Sequence, residues 1–234
     1  MRYSPNLSII IKALDKVSGR LARDFGEIEN LQNNYATAVK FSNACYKRIK
    51  EGLIQDLTKI HPEYNIEFLD GEKIINNPNA QYSYIVSPVD GLMNLSRSIP
   101  YFSTMVALEY VGSGKKEVVA IALSNVASNE LYFAEKGGGA FLNNRRVRVS
   151  ENKSGSLICA VSDTSLAKDK FINRLNNCFS LDLGYLAAGK IDLAIFDLKH
   201  KESLCAMFLL AKEAGASISE KDGMIVVSNG KIAF

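Results

Sequence analysis

Apolar residues recur at helical spacing from the start of the chain. Leu7, Ile10, Ile11, Leu14, Val17 and Leu21 form one stripe. Ser4-Pro5 ahead of them supplies a capping hydroxyl and a proline suited to a first helical turn. The pattern predicts a helix there and a second over residues 43–60, ending near His61-Pro62. Residues 66–81 are rich in Asn, Gly and Asp and read as a loop. From Tyr82 onward the runs are those of strands, at 82–86, 104–110, 117–123, 131–134 and 146–149, broken by Gly, Ser or Asn. Gly112-Ser113-Gly114 and Ser128-Asn129 have hairpin chemistry, which makes this middle part antiparallel. Beyond Ser156 helices and strands alternate. Strands are expected at 157–161, 191–196 and 225–227, and helices at 168–176, at 181–188 closed by Gly189, and at 203–214 stopped by Gly215. Helices in pairs around mixed sheets predict a layered α/β (α+β) sandwich. It reads as one unit over 1–234, with an N-terminal half over 1–150 and a C-terminal half over 151–234.

Composition narrows the function classes. With 47% hydrophobic and 23% charged residues the chain is an ordinary globular one. A formal charge of +3 gives no direct nucleic-acid signal. Asn144-Arg145-Arg146-Val147-Arg148 mixes charge with an apolar position and reads as a solvated strand face. No stretch approaches the roughly 20 apolar residues that span a bilayer. The first residues lack the apolar core and cleavage site of a signal peptide, so a cytoplasmic location without a membrane partner is expected. Cys45, Cys159, Cys178 and Cys205 form no CxxC pair, and His61 and His200 stand apart from them. Buried free thiols and surface histidines are therefore expected, rather than disulfides or zinc.

Ser87-Pro88-Val89-Asp90-Gly91-Leu92-Met93-Asn94 follows directly on an apolar strand. Alone, Asp90-Gly91 reads as a tight turn. With its neighbours, the segment resembles the D-P-[IL]-D-G-T-x-N signature of the inositol monophosphatase family. Ile99-Pro100-Tyr101-Phe102 is similar to the family's following G-[IF]-P-x-F element. Residues 131–143 resemble its E-[LM]-Y-x-A-x-[KR]-G-x-G-A-F-x-N strand-turn-strand. Ala188-Gly189-Lys190-Ile191-Asp192 and Glu213-Ala214-Gly215-Ala216 resemble A-G-x-x-D and E-A-G-G. Phe25 to Gln32 looks most like the bacterial SuhB-type extragenic suppressor branch. The resemblance implies a five-layered αβαβα sandwich of the inositol monophosphatase and sugar phosphatase type, commonly a homodimer. It implies hydrolysis of phosphate monoesters with Mg²⁺ held by carboxylates, one ion activating water and another neutralising the leaving oxygen.

Several of the family's chemical positions are changed. Ser87 stands where the motif has a metal-bridging Asp, and Leu92 where it has a Thr that orients water. Ser203 stands where a late W-D-x-A helix start has a metal-holding Asp; its ordinary reading is a helix N-cap. The D-x-V-T-x-x-D segment falls on residues 36–42, which hold no acid, and G-[ST]-A-A falls on Asn177-Cys178-Phe179-Ser180 with a bulky ring inside it. What the resemblance leaves as metal ligands is Glu72, Asp90 and the Val89 carbonyl, with the Gly91 and Leu92 amides for phosphate. Asp70 and Glu202 are the acids near enough to substitute for lost ligands. Three functions stay open: a SuhB-type regulatory protein whose partner is the transcription elongation machinery, a residual phosphatase, and a small-anion binder.

Overall fold

The computed structural model describes residues 3–112 and 114–232. The chain divides into two compact units, one ending at Leu131 and one beginning at Tyr132.

In the first unit, α1 (Pro5–Glu29) starts as its sequence dictates. The Ser4 side chain accepts the Leu7 N–H at 3.2 Å, and the predicted stripe from Leu7 to Leu21 is buried. Burying each such aliphatic side chain contributes about 1.5–3 kcal/mol relative to leaving it in water. α2 (Tyr35–Ile60) begins well before residue 43, capped by Asn34, whose side chain accepts the Thr37 N–H at 3.1 Å. Residues 66–81 are not all loop. β1 (Asn65–Phe68) and β2 (Lys73–Ile74) lie within or beside them, with Ile66 and Phe68 buried.

β3 (Tyr82–Asp90) pairs in parallel with β1 and antiparallel with β4 (Ser103–Gly112), and β4 pairs antiparallel with β5 (Lys115–Asn125). The β4–β5 hairpin is the one expected, although Ser113 in its turn lies outside the described residues. A short α3 (Leu92–Ser96) follows β3. α1 and α2 pack on each other, α1 against β4 and β5 and α2 against β3. That packing fixes where side chains of α2 fall relative to the end of β3.

The second unit opens within β6 (Glu130–Glu135), which continues antiparallel into β7 (Gly139–Leu142) and β8 (Arg145–Val147). A separate sheet has the order β10-β9-β11-β13-β12, from β9 (Ile158–Val161), β10 (Ile172–Arg174), β11 (Leu193–Asp197), β12 (Ser217–Lys221) and β13 (Met224–Ser228). The fold is thus mixed α/β, with two sheets and helices. The expected helix at 168–176 is instead a closed loop leading into β10. Asn173 holds it, donating to the Lys168 and Phe171 carbonyls and accepting the Lys168 N–H. α4 (Phe179–Ala187) ends at Gly189, whose φ of +69° and close approach to the Arg148 and Ser150 backbone leave no room for a side chain. The late helix is broken in two, α5 (Lys201–Cys205) and α6 (Phe208–Glu213).

Cys45, Cys159 and Cys178 are buried, but Cys205 is exposed, contrary to the expectation of four buried thiols. Burial and the Asp24 carboxylate push the Cys45 thiol up to about 12, and burial with Asp182 does the same to Cys159. A thiol so shifted carries almost no thiolate at neutral pH. Titrating the native protein with an aromatic disulfide reagent will therefore release one equivalent quickly, from Cys205, and the rest only on unfolding. A second fast equivalent would contradict this packing.

Candidate functional site at the end of a central strand

Ser87, Val89, Asp90, Gly91 and Leu92 sit where β3 runs out. The β3–β4 register is regular from Tyr82↔Tyr110 to Ser87↔Met105, then shifts and resumes at Asp90↔Ser103. Pro88 and Val89 form the irregularity, as expected where a residue without an N–H interrupts a ladder. The Thr104 hydroxyl donates to the Pro88 carbonyl at 2.8 Å and pins the bulge. The Ser87 and Val89 side chains are buried, and Asp90 is half-buried. Gly91 adopts φ +80°, ψ 34°, a left-handed conformation glycine reaches without penalty, and turns the chain into α3. The signature's asparagine does structural work: Asn94 donates to the Tyr101 carbonyl at 2.7 Å, and its own carbonyl accepts the Ile99 N–H.

Glu72 belongs to the same end of the sheet. β1 runs parallel to β3, with Phe68 opposite Val86, and the Leu69 N–H donates to the Val86 carbonyl at 3.1 Å. The loop from Leu69 to Glu72 therefore leaves the sheet beside Ser87. Glu72 is exposed, yet its carboxylate is taken: Lys50 of α2 donates from Nζ to Glu72 Oε2 at 2.8 Å and to Asp70 Oδ2 at 2.9 Å. The Lys50 side chain is only 11% exposed, and its ammonium lies 4.1 Å from the centre of the Phe68 ring. Asp70 is engaged on both oxygens, by the Tyr46 hydroxyl at 2.7 Å and Lys50 on one and the Glu72 N–H at 3.0 Å on the other. Burial alone would raise the Asp70 carboxyl, but Lys50 and Tyr46 hold it below its usual value. Asp70 is thus a partner of Lys50 rather than a spare ligand. Neither Lys50 nor Tyr46 could be found by motif reading, since both lie within a long helix, 20 to 24 residues from the acids they meet.

The remaining positions belong to other elements. Residues 36–42 are the first turns of α2, and a groove of about 410 Å³ there is lined by Ala36, Val39, Lys40, Asn43, Ala44 and Lys47. It offers two ammonium groups and no carboxylate. In the second unit, Ser203 lies inside α5, whose N-cap position is His200, so its reading as an N-cap fails; Glu202 beside it is exposed. Phe179 opens α4 and packs edge-on against Phe196 and His200 at centroid distances of 5.3 and 4.9 Å.

The chain matches the model of the inositol monophosphatase family over residues 3–233. This protein belongs to the inositol monophosphatase family. It is 33% identical to an inositol-1-monophosphatase of Rhizobium meliloti, over 95% of this chain and 88% of that protein. It is 28% identical to the Nus factor SuhB of Vibrio cholerae, over 94% of this chain and 86% of that one. The crystal structure of the extragenic suppressor protein SuhB from Bartonella henselae superimposes with a TM-score of 0.82 at 28% identity, covering 97% and 95% of the two chains. The family is generally Mg²⁺-dependent, so the donors here need testing against that ion. Mg²⁺ takes hard, charged oxygens in octahedral geometry. Ser87 offers a hydroxyl and Leu92 none, Asp90 and the Val89 carbonyl remain, and Glu72 and Asp70 already bind an ammonium. Among the described residues no three His, Cys, Asp or Glu side chains converge to hold a metal. The donor set does not fit the family's ion.

Proposed function

We propose that this member of the inositol monophosphatase family has left catalysis and acts through its surfaces, as a protein-interaction or regulatory factor. The observation that carries the reading is a strand end that has lost charge and a positioned hydroxyl, with Ser87 and Leu92 at the signature's Asp and Thr positions. Unit charges about 4 Å apart interact by roughly 4 kcal/mol at an effective dielectric of 20. Exchanging a carboxylate for a hydroxyl forfeits an attraction of that order, and two such exchanges, at Ser87 and Ser203, weaken a divalent cation by several factors of ten. Loss of a positioned hydroxyl costs about a further 10²-fold in rate. The Nus factor SuhB relatives support a transcription-related partner; on this proposal the protein acts in the cytoplasm as a homodimer, in contact with the elongation machinery, with a role in transcription antitermination or ribosomal RNA maturation. Enrichment of RNA polymerase with its elongation factors on the immobilised protein tests that partner, and none would count against it.

The deciding assay is hydrolysis of inositol monophosphates at millimolar Mg²⁺, with calorimetric Mg²⁺ titration alongside. The natural chain is expected to give no turnover above background and no saturable uptake. A Ser87→Asp/Leu92→Thr/Ser203→Asp variant is expected to regain Mg²⁺ uptake before it regains activity. Mg²⁺-dependent turnover by the natural chain, abolished by Asp90→Asn, would establish instead a residual phosphate monoester hydrolase using Glu72, Asp90 and the Val89 carbonyl, with phosphate on the Gly91 and Leu92 amides. The inositol-1-monophosphatase relatives and the retained Asp90 favour keeping that second reading in the test.

A further inference from the structure

We infer that Lys50 is a tethered cation standing in for a diffusible one: its ammonium neutralises the strand-end acids, so that the order of this loop no longer depends on divalent metal. The inference concerns how the loop is held, and its test does not read turnover.

Three observations carry it. First, the ammonium bridges two carboxylates, at 2.8 Å to Glu72 and 2.9 Å to Asp70. With formal charges of −1, −1 and +1 the cluster nets −1 rather than −2, halving its net charge toward a further cation. Second, the ammonium is held from behind. The Lys50 side chain is 11% exposed and stands over the Phe68 ring at 4.1 Å, whereas Lys16, Lys73, Lys199 and Lys201, in other ion pairs, are 49–63% exposed. A metal would have to drive this charge off an aromatic face and break both ion pairs before binding. Third, the acids are fixed for this partner. Tyr46, one turn before Lys50 on α2, donates to the Asp70 oxygen that Lys50 also contacts, and the Glu72 N–H holds the other. The loop in turn is tied to β3 through Leu69 N–H and the Val86 carbonyl. An ion attached to α2 thus joins that helix to the end of the central strand, a bond that no chelator can remove.

The consequence is a latent cation response. Lys50→Met keeps most of the stem and removes the charge, leaving Asp70 and Glu72 facing each other without a counter-ion. Thermal unfolding of the full chain is followed in EDTA, in 20 mM MgCl₂ or MnCl₂, and in NaCl of equal ionic strength. The natural chain and Lys50→Arg are expected to unfold at the same temperature in all of these. Lys50→Met is expected to unfold lower in EDTA and to recover about 4–7 °C with Mg²⁺ or Mn²⁺ beyond the NaCl effect, as a site of millimolar affinity would give in a chain of this size. Asp70→Asn/Glu72→Gln added to Lys50→Met should abolish the recovery. If Lys50→Met is unfolded in EDTA, refolding by Mn²⁺ supports the inference, and Lys50→Gln gives a second chance to observe it. The inference is overturned if the natural chain is itself stabilised by Mg²⁺ or Mn²⁺ beyond NaCl. It is equally overturned if neither neutral variant responds to divalent cation, folded or unfolded.

Discussion

Replacing Asp192 by alanine is expected to lower the unfolding free energy by about 3–5 kcal/mol. The carboxylate is 4% exposed and accepts three hydrogen bonds. Ser150 Oγ donates to Oδ1 at 2.6 Å, Asn152 Nδ2 to Oδ1 at 2.8 Å, and the Ile158 N–H to Oδ2 at 2.8 Å. Asn229 closes the ring, donating from Nδ2 to the Ser150 hydroxyl at 3.1 Å and to the Asn152 carbonyl at 2.7 Å. One acid therefore gathers the segment before β9, the start of β9 and the segment after β13. Alanine leaves three donors unsatisfied, each a loss of about 1–3 kcal/mol if it stays dry, with some recovered by entering water. Asparagine keeps the shape but must turn an NH₂ group toward a donor, so Asp192→Asn should recover little. Ser150→Ala, which removes one donor and one acceptor together, should cost about 1 kcal/mol. Urea unfolding midpoints at constant slope measure all three. A loss below about 1 kcal/mol for Asp192→Ala would show that the network is incidental.

The same residue shows what the sequence made legible. Asp192 was visible as the acid of an A-G-x-x-D element, but nothing local said whether it would bind a ligand or its own backbone. Where a local rule was sufficient, reading succeeded. Ser4-Pro5 and the stripe from Leu7 fixed α1, and Gly91, Gly189 and Gly215 turned the chain where left-handed backbone was needed. Where tertiary contacts decided, reading failed. The first turns of α2 show only Ala38 and Ser42 to the core, too small and too polar to register as a stripe. β1 hides within a polar stretch because only its alternate residues, Ile66 and Phe68, are buried. Residues 168–176 have helical spacing, but the Asn173 side chain offers the backbone better partners in a loop.

The site divides along the same line. Ser87, Asp90 and Leu92 were found because a strand-end motif is contiguous in sequence. Lys50 was missed because its partners lie 20 and 22 residues away, across a helix-to-sheet contact. A lysine midway along a long helix carries no local signal of being anything but solvated. Its burial against Phe68, the property that distinguishes it, exists only once α2 is seated on β3.

Glu213→Ala is expected to cost about 2–3 kcal/mol, because Glu213 joins two elements that are far apart in the sequence. The Glu213 carboxylate, at the end of α6, accepts the Gly137 N–H at 2.6 Å on one oxygen and the Gly139 N–H at 2.8 Å on the other. The Lys136-Gly137-Gly138-Gly139 turn between β6 and β7 is thus held by an acid more than seventy residues later in the chain. Gly137 and Gly139 both have positive φ, which presents their amides to that acid at no steric cost. Glu213→Gln keeps one acceptor and sets its NH₂ against the other N–H, so it should lose more than half of the full effect. Glu213→Asp is too short to span both amides and should behave like Gln. Gly139→Ala attacks the turn from the other side. A Cβ there would lie 2.8 Å from the Arg146 guanidinium, which can swing away, but the φ of +88° remains strained for any L side chain. Because both substitutions release the same turn, the double variant should cost measurably less than the sum of the singles. Native-state hydrogen exchange decides whether the turn is the unit affected. The Gly137 and Gly139 amides should lose protection in Glu213→Ala beyond the fall in global stability, and equal loss across the second unit would mean that the carboxylate supports α6 rather than the turn.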